Sequence, residues 1–210
     1  MPDTRPVHTI AAHPIQGRPA AVLRLDPALL DPARGERCHI DECHAACCSN
    51  GIWVDLHQVE RIVAHAADVI PLLQPGCTDP TTWFGDETWE HPDFPSGIGI
   101  PTTLVDRPEL DHAPRCVLLM ADWRCALQVA SERLGLGWPG LKPFDCATFP
   151  VLRSEGELQW DAESVGELGG ADCQRPAAGA PARRCDVFRM EVELSLGQHG
   201  AATVAALASR

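Results

Sequence analysis

Apolar positions recur at helical spacing in one long stretch of the chain. In DLHQVERIVAHAADVIPLL, residues 55–73, the positions Leu56, Val59, Ile62, Val63, Ala66, Ala67 and Ile70 fall on one stripe, the signature of an amphipathic helix. Asp55 is placed to cap its start, and Pro71 with Gln74-Pro75-Gly76 ends it. RCVLLMADWRCALQVASERLGL (115–136) reads as a strand, a turn and a helix from about Ala126. Residues 186–209 predict one or two C-terminal helices, broken near Gly197–Gly200.

Strands are marked by short apolar runs between turn residues. AAVLRL (20–25) reads as one, and GIWV (51–54) is a brief apolar run. FPVLR and ELQW flank Ser154-Glu155-Gly156 as a hairpin. DPALLDPARGE (26–36) is punctuated by Pro27 and Pro32 and reads as a turn or a single helical turn. Residues 75–114, rich in Pro, Gly, Asp and Trp, show no period and are expected to form a long surface excursion. Within them GIGI and TTLV suit a hairpin. Residues 1–19 are expected to be loosely ordered and 176–183, PAAGAPAR, to be a linker. The fold class that follows is α+β: one small domain over residues 20–210, with short strands and a few helices.

Composition narrows the partners. The chain has 210 residues, 45% hydrophobic and 22% charged, enough to bury a core without covalent staples. Its 17 basic residues stand against 29 acidic ones, for a formal net charge of -12, and no basic run occurs. Phosphate backbones and anionic membrane surfaces are recognised through clustered Lys and Arg, so neither nucleic acid nor membrane is expected as a partner. The N-terminal residues hold no signal-like apolar stretch, and no segment has the ~18 apolar residues of a membrane span. The expected location is the cytoplasm, where clustered cysteines point to metal or redox chemistry rather than to structural disulfides.

Ten cysteines then change the picture. Cys38, Cys43, Cys47 and Cys48 lie within CHIDECHAACC. Neighbouring Cα atoms stand ~3.8 Å apart, while disulfides prefer ~4.4–6.8 Å, so Cys47 and Cys48 are poor partners for each other. As thiolates on a metal they meet no such difficulty. Cys116 and Cys125 follow, then Cys146 in KPFDCATFP and Cys173 in GGADCQRP. Soft thiolates select zinc, copper(I) or iron–sulfur clusters, and four of them satisfy a tetrahedral zinc or an iron–sulfur cluster. No C-x2-C pair occurs, which sets the pattern apart from zinc fingers and ferredoxins. No phosphate loop, G-x-S-x-G or H-E-x-x-H occurs either.

CHIDECHAACC, RCVLLMADWRC and KPFDCATFPVLR, in that order, resemble the YkgJ-like cysteine-cluster proteins, described as zinc- or iron-chelating domains, and more closely an allied bacterial family of unknown function. The resemblance runs from about residue 20 to the C-terminus. It implies a metal set of Cys38, Cys43, Cys47, Cys48, Cys116, Cys125, Cys146 and Cys173, holding an iron–sulfur cluster or Zn²⁺ in one multinuclear site or two nearby ones. It also matches Arg153 to a position where that family often has a basic residue. The family's second cysteine shortly after the position of Cys173 is missing here. The resemblance leaves open a structural zinc module without catalysis and a cluster-bearing protein-modifying enzyme.

Other residues are read beside this set. Cys77 and Cys185 fall outside the pattern and read as ordinary thiols. Lys142 and Arg153 could neutralise an anionic thiolate cluster. His44 could bond a sulfur, His112 could serve as a ligand, and Trp53 and Trp123 could shield the site. His57 and Glu60, on the first helix, are expected to face water.

Overall fold

In the computed structural model, residues 6–14, 17–37, 44–110, 113–169, 172–175 and 182–209 are described. The protein is α+β. Its described strands are β1 (His8–Ala12), β2 (Ala21–Leu25), β3 (Glu36–Arg37), β4 (Trp53–Asp55), β5 (Trp89–Glu90), β6 (Ile98–Pro101), β7 (Leu104–Asp106), β8 (Pro114–Cys116), β9 (Val151–Ser154), β10 (Glu157–Trp160) and β11 (Gln174–Arg175). Its described α-helices are α1 (Leu56–Ala64), α2 (Ala66–Val69), α3 (Ala126–Leu134), α4 (Phe144–Thr148), α5 (Ala162–Glu167), α6 (Arg184–Val187) and α7 (Arg189–Ala208). They divide between two compact units, one made of Met1–His39 with Thr148–Arg210, the other of Ile40–Ala147.

The unit made from the chain's two ends is built on a four-stranded sheet, in the order β1-β2-β10-β9. β1 and β2 alternate strictly. Ile10, Ala12, Leu23 and Leu25 point into the core, while Val22 and Arg24 point out. Within the segment expected to be loosely ordered, residues 8–12 form a strand, because that alternation gives them a face to bury. The hairpin expected around Ser154-Glu155-Gly156 forms as β9–β10. β10 also runs parallel to β2. Helix α7 packs on β1 and β9, and Phe188, Val192, Leu196 and Val204 close the core. It is interrupted at Gly197, whose φ of 76° is left-handed, as the sequence led one to expect. The 176–183 linker lies almost wholly outside the described residues.

In the Ile40–Ala147 unit the predicted long helix is present but divided. Asp55 caps α1, accepting from the His57 N–H at 3.0 Å. The helical path breaks at His65 (φ -102°, ψ 20°). The break moves the buried face: Ile62 and then Val69, Leu72 and Leu73 are buried, whereas Val63 of the expected stripe is 40% exposed. His57 and Glu60 face solvent.

The expected surface excursion is largely structural. Trp83 is fully buried, and its indole N–H donates to the Cys77 carbonyl at 2.8 Å. GIGI and TTLV do contain strands, β6 and β7, but they do not pair with each other. β6 lies between β4 and β5, and β7 pairs with β8. Asp55 helps fix this arrangement. Its second carboxylate oxygen accepts from the Ser96 N–H at 2.8 Å and the Ser96 hydroxyl at 2.7 Å. One buried carboxylate thus joins the start of α1 to the turn before β6. No helix among the described residues is long and apolar enough to cross a membrane.

Removing the Asp55 carboxylate strips the helix cap and leaves the Ser96 donors without it. A lost cap costs ~1 kcal/mol and a buried unsatisfied donor ~1–3 kcal/mol. Asp55→Ala is therefore expected to lower stability by about 2–4 kcal/mol in equilibrium urea unfolding, and Asp55→Asn by less. A loss below ~0.5 kcal/mol for Asp55→Ala would remove this role for the carboxylate.

Candidate functional site

Five cysteines of the Ile40–Ala147 unit come from four short segments. Cys47 and Cys48 end a 3-10 turn, Ala46–Cys48, that follows two left-handed residues, His44 (φ 47°) and Ala45 (φ 48°). Left-handed backbone at non-glycine residues costs ~1–2 kcal/mol each and persists where the surroundings impose it. Cys116 ends β8, opposite Leu104. Cys125 occupies the N-cap position of α3. It is presented by a tight turn in which the Met120 N–H donates to the Arg124 carbonyl and the Trp123 N–H to that of Met120. Trp123 is itself left-handed (φ 67°). Cys146 lies on α4. The two strained turns meet, since the His44 ring stacks on Trp123 at 4.9 Å and 20°.

Several of these sulfurs act on their neighbours. The Cys48 S–H donates to Cys47, which lowers the Cys47 thiol to about 6 against desolvation, with help from the Lys142 charge. The same bond, together with burial, holds the Cys48 proton well above the ordinary range, and Cys47, Cys116 and Cys125 add to this. Desolvation pushes Cys116 up to about 12, and Cys125 and Cys47 add to it. Bonds from the Leu118 N–H and the Thr102 hydroxyl to its sulfur oppose the shift. Cys146 is raised by desolvation and then by Cys125, and Lys142 partly offsets this. Burial works against the charge on Lys142, yet Cys125, Cys146, Cys47 and Cys48 outweigh it and hold the ammonium above its usual value.

Lys142 is delivered to this point by its neighbours. The Ser131 hydroxyl donates to the Leu127 carbonyl at 2.6 Å and accepts from the Leu141 N–H at 2.7 Å. The close approach requires glycine at 140, where a Cβ would stand 2.3 Å from Ser131 and φ is +60°. The Lys142 ammonium donates to Gln128 Oε1 at 3.4 Å and lies 5.3 Å from the centre of the Trp138 ring.

The structure thus brings together Cys47, Cys48, Cys116, Cys125 and Cys146 with Lys142. Cys38, Cys43 and His112 lie outside the described residues. Cys173 belongs to the other unit, where it packs against the apolar core. Arg153 is buried in that unit and donates to the carbonyls of Ser195 at 3.2 Å and Pro19 at 2.8 Å. Cys77 and Cys185 are buried, one in each unit's core, and burial raises both thiols. Trp53 stacks edge-on with Trp89 at 5.7 Å. Thr102 and the Leu118 N–H leave no mark in the sequence, because no spacing announces a hydrogen bond to sulfur.

None of the eight described cysteines is in a disulfide. Among the described residues, no three His, Cys, Asp or Glu side chains are grouped so as to enclose a metal ion. The thiols share one electrostatic neighbourhood without forming a closed shell. Their chemistry nonetheless suits a soft cation: several sulfurs, one hydroxyl and one amide donor to sulfur, and a lysine that offsets thiolate charge. No protein-family model, curated protein or solved structure matches the chain.

Cys47 is exposed and carries the lowered thiol. In metal-free protein it is expected to be the first cysteine alkylated by iodoacetamide. Its rate should be near its plateau at neutral pH and should fall as pH drops through about 6. Lys142→Met should move that midpoint upward. A Cys47 rate that still climbs through pH 9, as for an ordinary thiol, would contradict the arrangement.

Proposed function

We propose that this protein binds a soft metal centre, zinc or an iron–sulfur cluster, through clustered cysteines, with Cys47, Cys48, Cys116, Cys125 and Cys146 supplying the sulfurs. One feature supports the reading: these five thiols, brought by four separate segments, lie close to one another or to Lys142 in one unit of the fold. Neutral thiols at such positions lose protons to a metal, so loading is coupled to proton release and to the ordering of the surrounding loops. Bound zinc would supply structural cross-linking, and a bound iron–sulfur cluster would supply electron transfer.

The chain's own contribution is distinct from that of the metal. Lys142 lowers the cost of gathering thiolates. The Thr102 hydroxyl and the Leu118 N–H stabilise charge on Cys116. The Cys48 proton is held by Cys47 until a cation displaces it. The ordered resemblance to YkgJ-like cysteine-cluster proteins supports the same reading. The excess of acidic residues supports the expectation that nucleic acid is not a partner.

Protein purified without oxygen is expected to contain stoichiometric zinc or iron by elemental analysis. Broad visible sulfur-to-iron absorption identifies the cluster, and a colourless zinc protein identifies the alternative. Cys116→Ser and Cys146→Ser should lose most of the metal, while Cys77→Ser and Cys185→Ser should retain it. Structural zinc contributes on the order of 10 kcal/mol to folding, so chelation should lower the melting temperature sharply. Protein free of both metals, with melting unchanged by chelator, would overturn the proposal.

A further inference from the structure

Asn50 is the only asparagine in the chain, and a glycine follows it. The pair lies where the Cys47–Cys48 turn hands over to β4. The turn ends with the Ser49 N–H donating to the Ala46 carbonyl at 3.0 Å. Beyond the pair, Ile52 is gripped at two points by Thr102. Its N–H donates to Thr102 Oγ1 at 2.9 Å, and its carbonyl accepts from the Thr102 N–H at 2.8 Å. Between these anchors Asn50 is exposed. Among the described residues the Gly51 N–H donates no backbone hydrogen bond. Glycine is required at 51, because its φ of +66° is left-handed and a Cβ would stand 3.0 Å from Thr102 Oγ1 and 3.3 Å from the Thr102 carbonyl oxygen.

That requirement has a chemical consequence. An asparagine side-chain carbonyl and the backbone nitrogen of the next residue are tethered to each other, so their reaction is intramolecular and needs no encounter. The side chain of the following residue is the usual obstacle to the attack, and glycine has none. Asparagine is for this reason a thermolabile residue, and the fold holds its single asparagine next to a glycine it cannot exchange.

We propose that Asn50–Gly51 is a self-modification site at the end of the Cys47–Cys48 segment. The Gly51 nitrogen attacks the Asn50 side-chain carbonyl carbon and forms a new C–N bond. The Gly51 proton passes through solvent to the departing side-chain nitrogen, which leaves as ammonia. Water then opens the resulting cyclic imide at one of its two carbonyls. Opening at the side-chain carbonyl leaves aspartate at 50, and opening at the main-chain carbonyl leaves isoaspartate. In sum one water enters and one ammonia leaves, with no oxidant or reductant. Either product places a negative charge at 50. Isoaspartate also lengthens the main chain by one carbon between Cys48 and Ile52. Because Thr102 grips Ile52, the added length falls on the stretch that leads back to Cys47 and Cys48. The reaction uses neither a sulfur nor a metal, so it stands independently of the proposed function.

The test is ageing of the full-length protein at physiological temperature and pH, followed by peptide mapping. Mass spectrometry should show conversion at Asn50, with isoaspartate told from aspartate by electron-transfer fragmentation. No other asparagine is present to obscure the signal. The folded protein should convert within an order of magnitude of the rate of a free peptide spanning Ser49–Trp53, and Asn50→Gln should show no conversion over the same period. In the isoaspartate fraction the Ile52 amide should exchange with deuterium several-fold faster than in fresh protein, while the Phe188 amide of the other unit should be unchanged. Conversion in the free peptide and in urea-unfolded protein, but not in folded protein, would overturn the inference. An isoaspartate form whose Ile52 amide exchanges as in fresh protein would overturn its structural consequence.

Discussion

Sulfurs gathered in a half-buried space cannot all be ionised unless positive charge or hydrogen-bond donors are gathered with them. The Ile40–Ala147 unit is arranged around that constraint. One thiol, Cys47, takes the charge, because Cys48 donates to it and Lys142 stands nearby. Burial and their neighbours hold Cys48, Cys116 and Cys146 protonated. Much of the local structure serves to deliver these groups: the Ser131–Gly140 contact that advances Lys142, the left-handed turns at His44, Ala45 and Trp123, and the Thr102 clamp on Ile52. Strain concentrated beside a reactive group is the usual mark of a site that the rest of the fold holds in place.

The other unit obeys a more ordinary rule. Its strands alternate, its helix covers the sheet, and several of its buried polar side chains have specific partners. Arg153 illustrates this. As a basic residue it was a reasonable candidate to neutralise thiolates, but its guanidinium serves backbone carbonyls of its own unit. Buried Glu191 likewise pairs with Arg37. Buried charges need partners, and here those partners are structural.

What could be read from the sequence divides along physical lines. Strong local signals held: the cap at Asp55, the β9–β10 turn, the helix after Cys125 and the interruption at Gly197. Signals that depend on distant residues did not. The strands at GIGI and TTLV were recognisable, but their pairing was not, because β6 chooses β4 and β5 across long stretches of chain. The burial of Trp83 left no period to detect. The cysteines themselves were conspicuous, and five of them do share a neighbourhood. Their supporting groups were hidden, since a hydroxyl aimed at sulfur or a glycine pressed against a serine leaves no pattern in one dimension.

The division of the chain carries a further consequence. One unit is made of both ends of the polypeptide, and the other is the continuous middle, Ile40–Ala147. Synthesis proceeds from the N-terminus, and domains generally fold as units as they emerge. The middle is therefore complete on the ribosome while β2 still waits for β10, its parallel neighbour. The portion that carries Cys47, Cys48, Cys116, Cys125 and Cys146 can assemble before the translation machinery has made the strands and helices that complete the other unit.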